Sequence, residues 1–134
     1  MTRKSAIILL AGGQARRMGG GDKNLIELAG KPVLRHVLDR VDFANRPIML
    51  NANGDPARYA DFSLPVCADV IDGYAGPLAG ILTGLEWVVA NQADCTHMVS
   101  LATDAPFLPI DLIARLEAGL DGGADIAQAM SYTR

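Results

Sequence analysis

Gly12, Gly13, Arg16, Arg17, Gly19, Gly20, Gly21 and Lys23 fall within the fifteen residues LLAGGQARRMGGGDK, directly behind an aliphatic run. Glycine has no Cβ, so successive backbone N–H groups can close around an anion. Guanidinium groups add forked donors to phosphate oxygens, and a lysine adds a mobile point charge. The chemistry on offer is the binding of a polyanion, a phosphate chain above all. The common phosphate-loop patterns do not account for it. The Gly30-Lys31 pair is followed by Pro32 and has Leu25 where the first Walker glycine belongs, and Gly19 and Gly21 are followed by Asn24 rather than a third glycine. A solvated loop with glycines serving as turns competes with this reading. The preceding strand and the cations inside the loop favour phosphate.

A second set of polar residues stands at the ends of apolar runs: Asn51 and Asn53 after PIML, Asp69 after LPVCA, and Asp104 after HMVSLAT. An amide and carboxylates suit a nucleobase edge and a hard metal ion. Each has a plainer use as well. Asp104 before Ala105-Pro106 suits an Asx turn, the asparagines suit turns, Asp69 suits a loop cap, and Asp22 suits a role of orienting Lys23. His36 and His97 lack ligand spacing, which argues against zinc. No Ser-His-Asp constellation is readable, and Trp87 reads as core or interface.

The elements that must position these residues alternate. Ala6 to Leu10 is continuously apolar, as in a strand covered on both faces. Val33, Leu34, Val37, Leu38 and Val41 follow at helical spacing, with Pro32 suited to the first turn. PIMLNAN and LPVCAD read as the next strands. GPLAGILTGLEWVVA reads as a helix with Leu78, Ile81, Leu82, Leu85 and Val89 on one face. HMVSLATDAPFLP is a buried strand leading into a turn, IDLIARLEAGL an amphipathic helix, and ADIAQAM a last strand. Strands alternating with helices predict parallel pairing in an α/β sandwich. In such folds ligands gather outside the carboxyl ends of the strands, which is where the glycines, Asn51, Asp69 and Asp104 would meet.

Composition bounds the function. The 134 residues are 50% hydrophobic and 20% charged, as in one globular domain spanning 1–134. A net charge of -3 gives no overall field for nucleic acid or an anionic membrane. The apolar stretch near the N-terminus is short for a signal core, and no run approaches the roughly 20 residues needed to span a bilayer. Cys67 and Cys95, without CxxC spacing, read as reduced, buried thiols of a cytoplasmic protein.

The stretch LAGGQARRMGGGDKNLIELAGKPVLRHV resembles the loop of nucleotidyltransferases with a Rossmann-like fold. Its LAGG and RMGGGDK are most similar to the molybdenum cofactor guanylyltransferases, as are NAN (51–53), AGPLAG (75–80) and TDAPFLP (103–109). The resemblance covers nearly the whole chain. It implies a three-layer α/β/α sandwich with a mostly parallel sheet. It also implies transfer of GMP from Mg-GTP to molybdopterin cofactor with release of pyrophosphate. By the same resemblance, Leu10, Ala11, Gly12 and Gly13 contact the nucleotide, and Lys23 lies near the α-phosphate. Arg17 holds the outer phosphates, Asp104 binds Mg²⁺, and Asn51 and Asp69 contact guanosine; a base contact from Gly76, Pro77 and Gly80 is secondary. Family members continue well past Arg134, so the C-terminal part of the family fold is expected to be missing, with much of the acceptor-binding half. Exposed sheet edges leave a homo-oligomer, or a partner protein in cofactor delivery, open. Also open are a cytidylyl- or sugar-phosphate nucleotidyltransferase, whose loops more often read LAAG, and a nucleotide-binding module without catalysis.

Overall fold

A computed structural model of the chain describes residues 4–11, 22–41, 43, 45–71 and 77–129. In chain order the elements are β1 (Ser5–Leu10), a 3-10 turn (Lys23–Leu25), β2 (Glu27–Leu28), β3 (Lys31–Pro32) and α1 (Val33–Arg40). There follow β4 (Ile48–Asn51), a longer 3-10 segment (Pro56–Phe62), β5 (Val66–Cys67), α2 (Pro77–Asn91), β6 (His97–Ala102) and α3 (Leu112–Gly119). β2 and β3 form a small antiparallel hairpin whose turn residues Ala29 and Gly30 both have positive φ, 53° and 84°.

The main sheet has the order β5-β4-β1-β6, and every pairing in it is parallel. β1 is an inner strand, so its aliphatic residues are covered on both faces. Ile7 and Leu9 pack with Leu34, Leu50, Tyr59, Leu101 and Ile113 on one face. Ala6 and Ile8 pack with Met49 and Val88 on the other. The result is the expected three-layer α/β/α sandwich. At the amino edge of the sheet, the buried Ser5 hydroxyl donates to Glu117 (2.7 Å), and Arg46 pairs with the same carboxylate (2.6 Å), which ties α3 to the strands.

Two expectations are corrected. Helix α2 turns a different face inward. Its buried residues are Ala79, Gly80, Thr83, Gly84 and Val88, while Leu78, Leu85 and Val89 are 65%, 48% and 77% exposed. The helix is apolar nearly all round, so periodicity alone does not choose the face. Closeness to the sheet chooses it. A Cβ on Gly84 would lie 2.7 Å from Ile8 Cγ1 and 3.0 Å from the Met98 sulfur, so only a stripe of small residues lets the helix settle there. The second correction concerns ADIAQAM. Residues 124–129 form no strand, and Ile126 is 84% exposed. The segment offers one β-branched side chain among alanines and polar residues, a weak strand composition. Strands 47–53 and 64–69 are present but shorter than expected, at Ile48–Asn51 and Val66–Cys67.

Among the described residues Tyr59 is the largest fully buried side chain, and its hydroxyl donates to Asn24 Oδ1 at 3.1 Å. Burial pushes its phenol above the ordinary value of 10.0, so it stays a donor at neutral pH. Cys67 and Cys95 are both free thiols, and burial raises each thiol as well.

Gly84→Val should lower stability by about 2–3 kcal/mol through overpacking against Ile8. Leu85→Lys on the outward face should change it by less than about 0.5 kcal/mol. Urea unfolding midpoints at unchanged m-value read both; the opposite ranking would restore the Leu78–Leu85–Val89 face to the interior. Because the folded phenol titrates above the unfolded one, the contribution of Tyr59 is complete below pH 10.0 and lost as pH rises through the folded value. Stability measured across that alkaline range should therefore fall less steeply in Tyr59→Phe than in the parent chain.

Candidate functional site

Register places the strand ends level with one another. Leu10 stands opposite Asn51 on one side and Ala102 on the other, and Asn51 stands opposite Cys67. The last residues of β5, β4, β1 and β6 thus share one rung. Residues two positions farther along (Asp69, Asn53 and Asp104) leave the sheet from the same edge. The chain runs outward from β1 to β4 and β5, then returns to β6 on the far side of β1. The carboxyl ends of β1 and β6, where that reversal falls, are the usual ligand position of open α/β sheets.

On the β6 side of this edge lie Lys23 and Asp104. Lys23 begins the 3-10 turn and is exposed; Asp104 follows β6 and is exposed. Their chain neighbours are joined underneath, where Asn24 Nδ2 donates to Thr103 Oγ1 at 3.1 Å and Thr103 Oγ1 donates to the Leu10 carbonyl at 3.0 Å. The segments that carry the lysine and the carboxylate are therefore joined to each other and to the end of β1 through their chain neighbours. Asp22, just before Lys23, accepts from Arg58 Nε at 2.7 Å. The Arg58 guanidinium also lies over the Tyr59 ring and donates to the carbonyls of Asn53 and Asp55.

On the β5 side, Asp69 is clamped. Its Oδ1 accepts from Asn51 Nδ2 at 2.9 Å, its Oδ2 accepts from Asn53 Nδ2 at 3.0 Å, and its own N–H donates to Asn53 Oδ1 at 2.8 Å. Asn51 is 1% exposed, and its amide nitrogen also donates to the Cys67 carbonyl. A Cβ on Gly80 would fall 2.5 Å from Asn51 Oδ1, so the glycine lets α2 lie directly on that side chain. The Thr83 hydroxyl accepts from the Val70 N–H at 2.9 Å and fixes the backbone just past Asp69. Asp69 is half-buried and is the group of this cluster best placed to meet a ligand; Asn51 holds it from below.

Other expectations sort as follows. Gly12, Gly13, Arg16, Arg17 and Gly76 lie outside the described residues. Ala11 donates its N–H to the Asn51 carbonyl at 2.7 Å, so that amide already serves the sheet. Pro77 is the first residue of α2. His36 Nε2 contacts the Leu28 carbonyl, and His97 opens β6 with Nδ1 2.8 Å from Thr96 Oγ1. Among the described residues no three His, Cys, Asp or Glu side chains cluster to hold a metal. No helix among them is long and apolar enough to cross a membrane. Sequence reasoning passed over Asn24, Arg58, Tyr59 and Thr103. The only signal for Asn24 and Thr103 was adjacency to Lys23 and Asp104, and nothing local marked Arg58 or Tyr59.

The model of the MobA-like NTP transferase domain matches residues 7–133. A molybdenum cofactor guanylyltransferase of Rhodopseudomonas palustris (strain BisB5) is 55% identical over 95% of this chain and 61% of its own. One from Mesorhizobium japonicum is 52% identical over 100% of this chain and 64% of its own. The chain thus spans about three fifths of the length of these curated relatives. Among solved structures, a CMP:2-keto-3-deoxy-manno-octonic acid synthetase complexed with CTP superposes with a TM-score of 0.67 at 17% identity, over 90% of this chain and 48% of that one. The 4-diphosphocytidyl-2C-methyl-D-erythritol synthase of Anaerococcus prevotii gives 0.63 at 18% identity, over 88% and 51%. These two likenesses establish the shared fold, and the match over residues 7–133 establishes the family: the chain belongs to the MobA-like NTP transferase domain family.

Proposed function

We propose that the protein transfers GMP from Mg-GTP to the phosphate of molybdopterin cofactor and releases pyrophosphate, acting in the cytoplasm. The observation that supports this most is the shared strand edge. Lys23 and Asp104 stand on one side of the β1 exit, and a clamped carboxylate, Asp69, stands on the other. The 52–55% identity to proteins named molybdenum cofactor guanylyltransferase points the same way.

The attacking oxygen belongs to the acceptor's phosphate monoester. It is largely ionised at neutral pH, since such groups lose their second proton near pH ~6. No protein base is needed for it. A bond forms between that oxygen and the α-phosphorus of GTP, while the bond from the α-phosphorus to the bridging oxygen breaks. The electron pair leaves with pyrophosphate. The protein's part is positioning and charge stabilisation. Lys23 meets the charge that grows on the α-phosphoryl oxygens. Gly12 and Gly13 offer backbone amides to the triphosphate, Leu10 and Ala11 shape the exit of β1 behind it, and Arg17 holds the outer phosphates.

Asp104 fits a magnesium ion. It is a hard oxygen ligand, exposed, and engaged in no ion pair among the described residues. With no larger acidic cluster beside it there, triphosphate oxygens and water would complete the shell, as Mg²⁺ prefers. When bound, the ion supplies charge neutralisation on the triphosphate. Asp69, with both oxygens oriented by amides, presents its remaining lone pairs to the N1–H and N2–H donors of guanine. Asn51 sets its angle.

Pyrophosphate release from GTP, CTP, UTP and ATP, measured with molybdopterin cofactor and Mg²⁺, tests this reading. GTP should be the preferred donor. Lys23→Ala should lower kcat by roughly 10²–10³, the usual cost of one preorganised charge-stabilising group. Asp104→Ala should remove the Mg²⁺-dependent turnover. Asp69→Asn should cut the preference for GTP over CTP by about tenfold or more, the range of a lost paired contact to a base. Equal release from all four nucleotides, or full kcat in Lys23→Ala, would overturn the assignment.

A further inference from the structure

Beneath the proposed reaction centre runs a string of buried polar side chains, set against a core that is mostly apolar. Tyr59 is 1% exposed, Asn24 3% and Thr103 3%. Buried polar groups are costly unless satisfied, and here they satisfy one another head to tail. The Tyr59 hydroxyl donates to Asn24 Oδ1 at 3.1 Å. Asn24 Nδ2 donates to Thr103 Oγ1 at 3.1 Å. The Thr103 hydroxyl spends its single hydrogen on the Leu10 carbonyl at 3.0 Å.

The direction of the string is fixed. The Leu10 carbonyl can only accept, so Thr103 must donate there and accept from Asn24. That sets the amide orientation of Asn24 and leaves its oxygen to accept from the Tyr59 phenol. The string connects four segments distant in sequence: the 3-10 segment with Tyr59, the turn with Lys23, the end of β6 and the end of β1. Lys23 and Asp104 are the chain neighbours of Asn24 and Thr103, and Leu10 is the last strand residue before the glycine-rich loop. On its outer side the turn is held again, by Asp22 on Arg58, whose guanidinium reaches the carbonyl of Asn53, one of the two amides that clamp Asp69.

We infer that Asn24 and Thr103 are positioning residues for phosphoryl transfer: their hydrogen bond sets the separation of Lys23 and Asp104 across the α-phosphate, with Tyr59 anchoring the far end. The inference rests on the transferase reading above. Lys23 opens a 3-10 turn and Asp104 lies in the bend after β6, two segments far apart in sequence, and the Asn24–Thr103 bond ties their immediate neighbours side chain to side chain. Displacement of a reacting group by about 1 Å can cost up to roughly a hundredfold in rate while leaving affinity nearly intact.

Steady-state pyrophosphate release, with kcat and the KM for GTP separated, tests this on the full chain. Thr103→Val keeps the side-chain shape and deletes the hydroxyl. Its kcat should fall by about tenfold or more, with KM for GTP within about threefold. Thr103→Ser, which restores the hydroxyl, should recover most of kcat. A merely structural role would lower thermal stability without that split and without the rescue by serine. Unchanged kcat in Thr103→Val, or a rise in KM alone, would overturn the inference. Should Thr103→Val fail to fold, Tyr59→Phe keeps the ring and unhooks only the anchor; it should show a smaller fall in kcat at constant KM, and kcat equal to the parent would overturn the inference. If the parent chain releases no pyrophosphate from any nucleotide, the transferase reading fails, and amide hydrogen exchange still reads the coupling. Faster exchange at both Lys23 and Asp104 in Thr103→Val would support the tie, and unaltered exchange at Lys23 would sink it.

Discussion

β1 is hydrogen-bonded along both edges, to β4 from Ile7–Ile48 through Leu10–Asn51 and to β6 from Ser5–His97 through Leu10–Ala102. This double pairing is the constraint on which the site depends. It buries the aliphatic run from both faces, and it also brings every strand of the sheet to an end on one rung. A slip of one residue in either register would turn the inner side chains of a neighbour to the wrong face. It would also move Asp104 or Asn51 away from the β1 exit. The hydrophobic core and the placement of the polar groups are thus settled by the same pairing.

The polar layer above that rung is built by amides and hydroxyls more than by opposed charges. Asp69 is oriented by Asn51 and Asn53, and the ends of β1 and β6 are joined through Thr103. Neutral donors can orient a carboxylate without cancelling its charge, which leaves it electrostatically available to a ligand. Among the described residues the ion pairs sit elsewhere: Arg58 with Asp22 on the outer side of the Lys23 turn, Arg46 with Glu117 at the opposite end of the sheet, and Lys4 with Asp94 and Lys31 with Asp39 on the surface. Helix α2 contributes by what it lacks. Gly80 and Gly84 allow its backbone to lie against Asn51 and Ile8, which presses the small-residue stripe onto the sheet and leaves leucines facing outward.

Much of this was legible in the chain itself. A continuous apolar run marked β1 because a strand covered on both faces has no polar alternation to hide it, while β6 was read from a mixed run in which only Val99 and Leu101 are buried. The spacing of Leu34 and Val37 marked α1. Asp69 and Asp104 were readable because each follows an apolar run by a fixed short step. What escaped was everything decided between distant segments. The inward face of α2 depends on how near Ile8 and Met98 come, and an all-round apolar helix carries no record of that. Residues 124–129 had the length of a strand without the side chains or a partner to make one. Asn24, Tyr59 and Thr103 looked like an ordinary asparagine, a tyrosine in a polar stretch and a threonine in a turn; only folding across 35 and 79 residues of separation makes them a string.

The central claim is that Lys23 and Asp104 face a single α-phosphate at the β1 exit. Its most direct measurement is a crystal structure of the protein with Mg²⁺ and a GTP analogue that cannot be cleaved between the α- and β-phosphates. The account predicts the α-phosphate within hydrogen-bond reach of Lys23 Nζ, the metal on an Asp104 oxygen, and the guanine edge against Asp69. Triphosphate density on another face of the sheet, with Lys23 and Asp104 both turned to solvent, would contradict it.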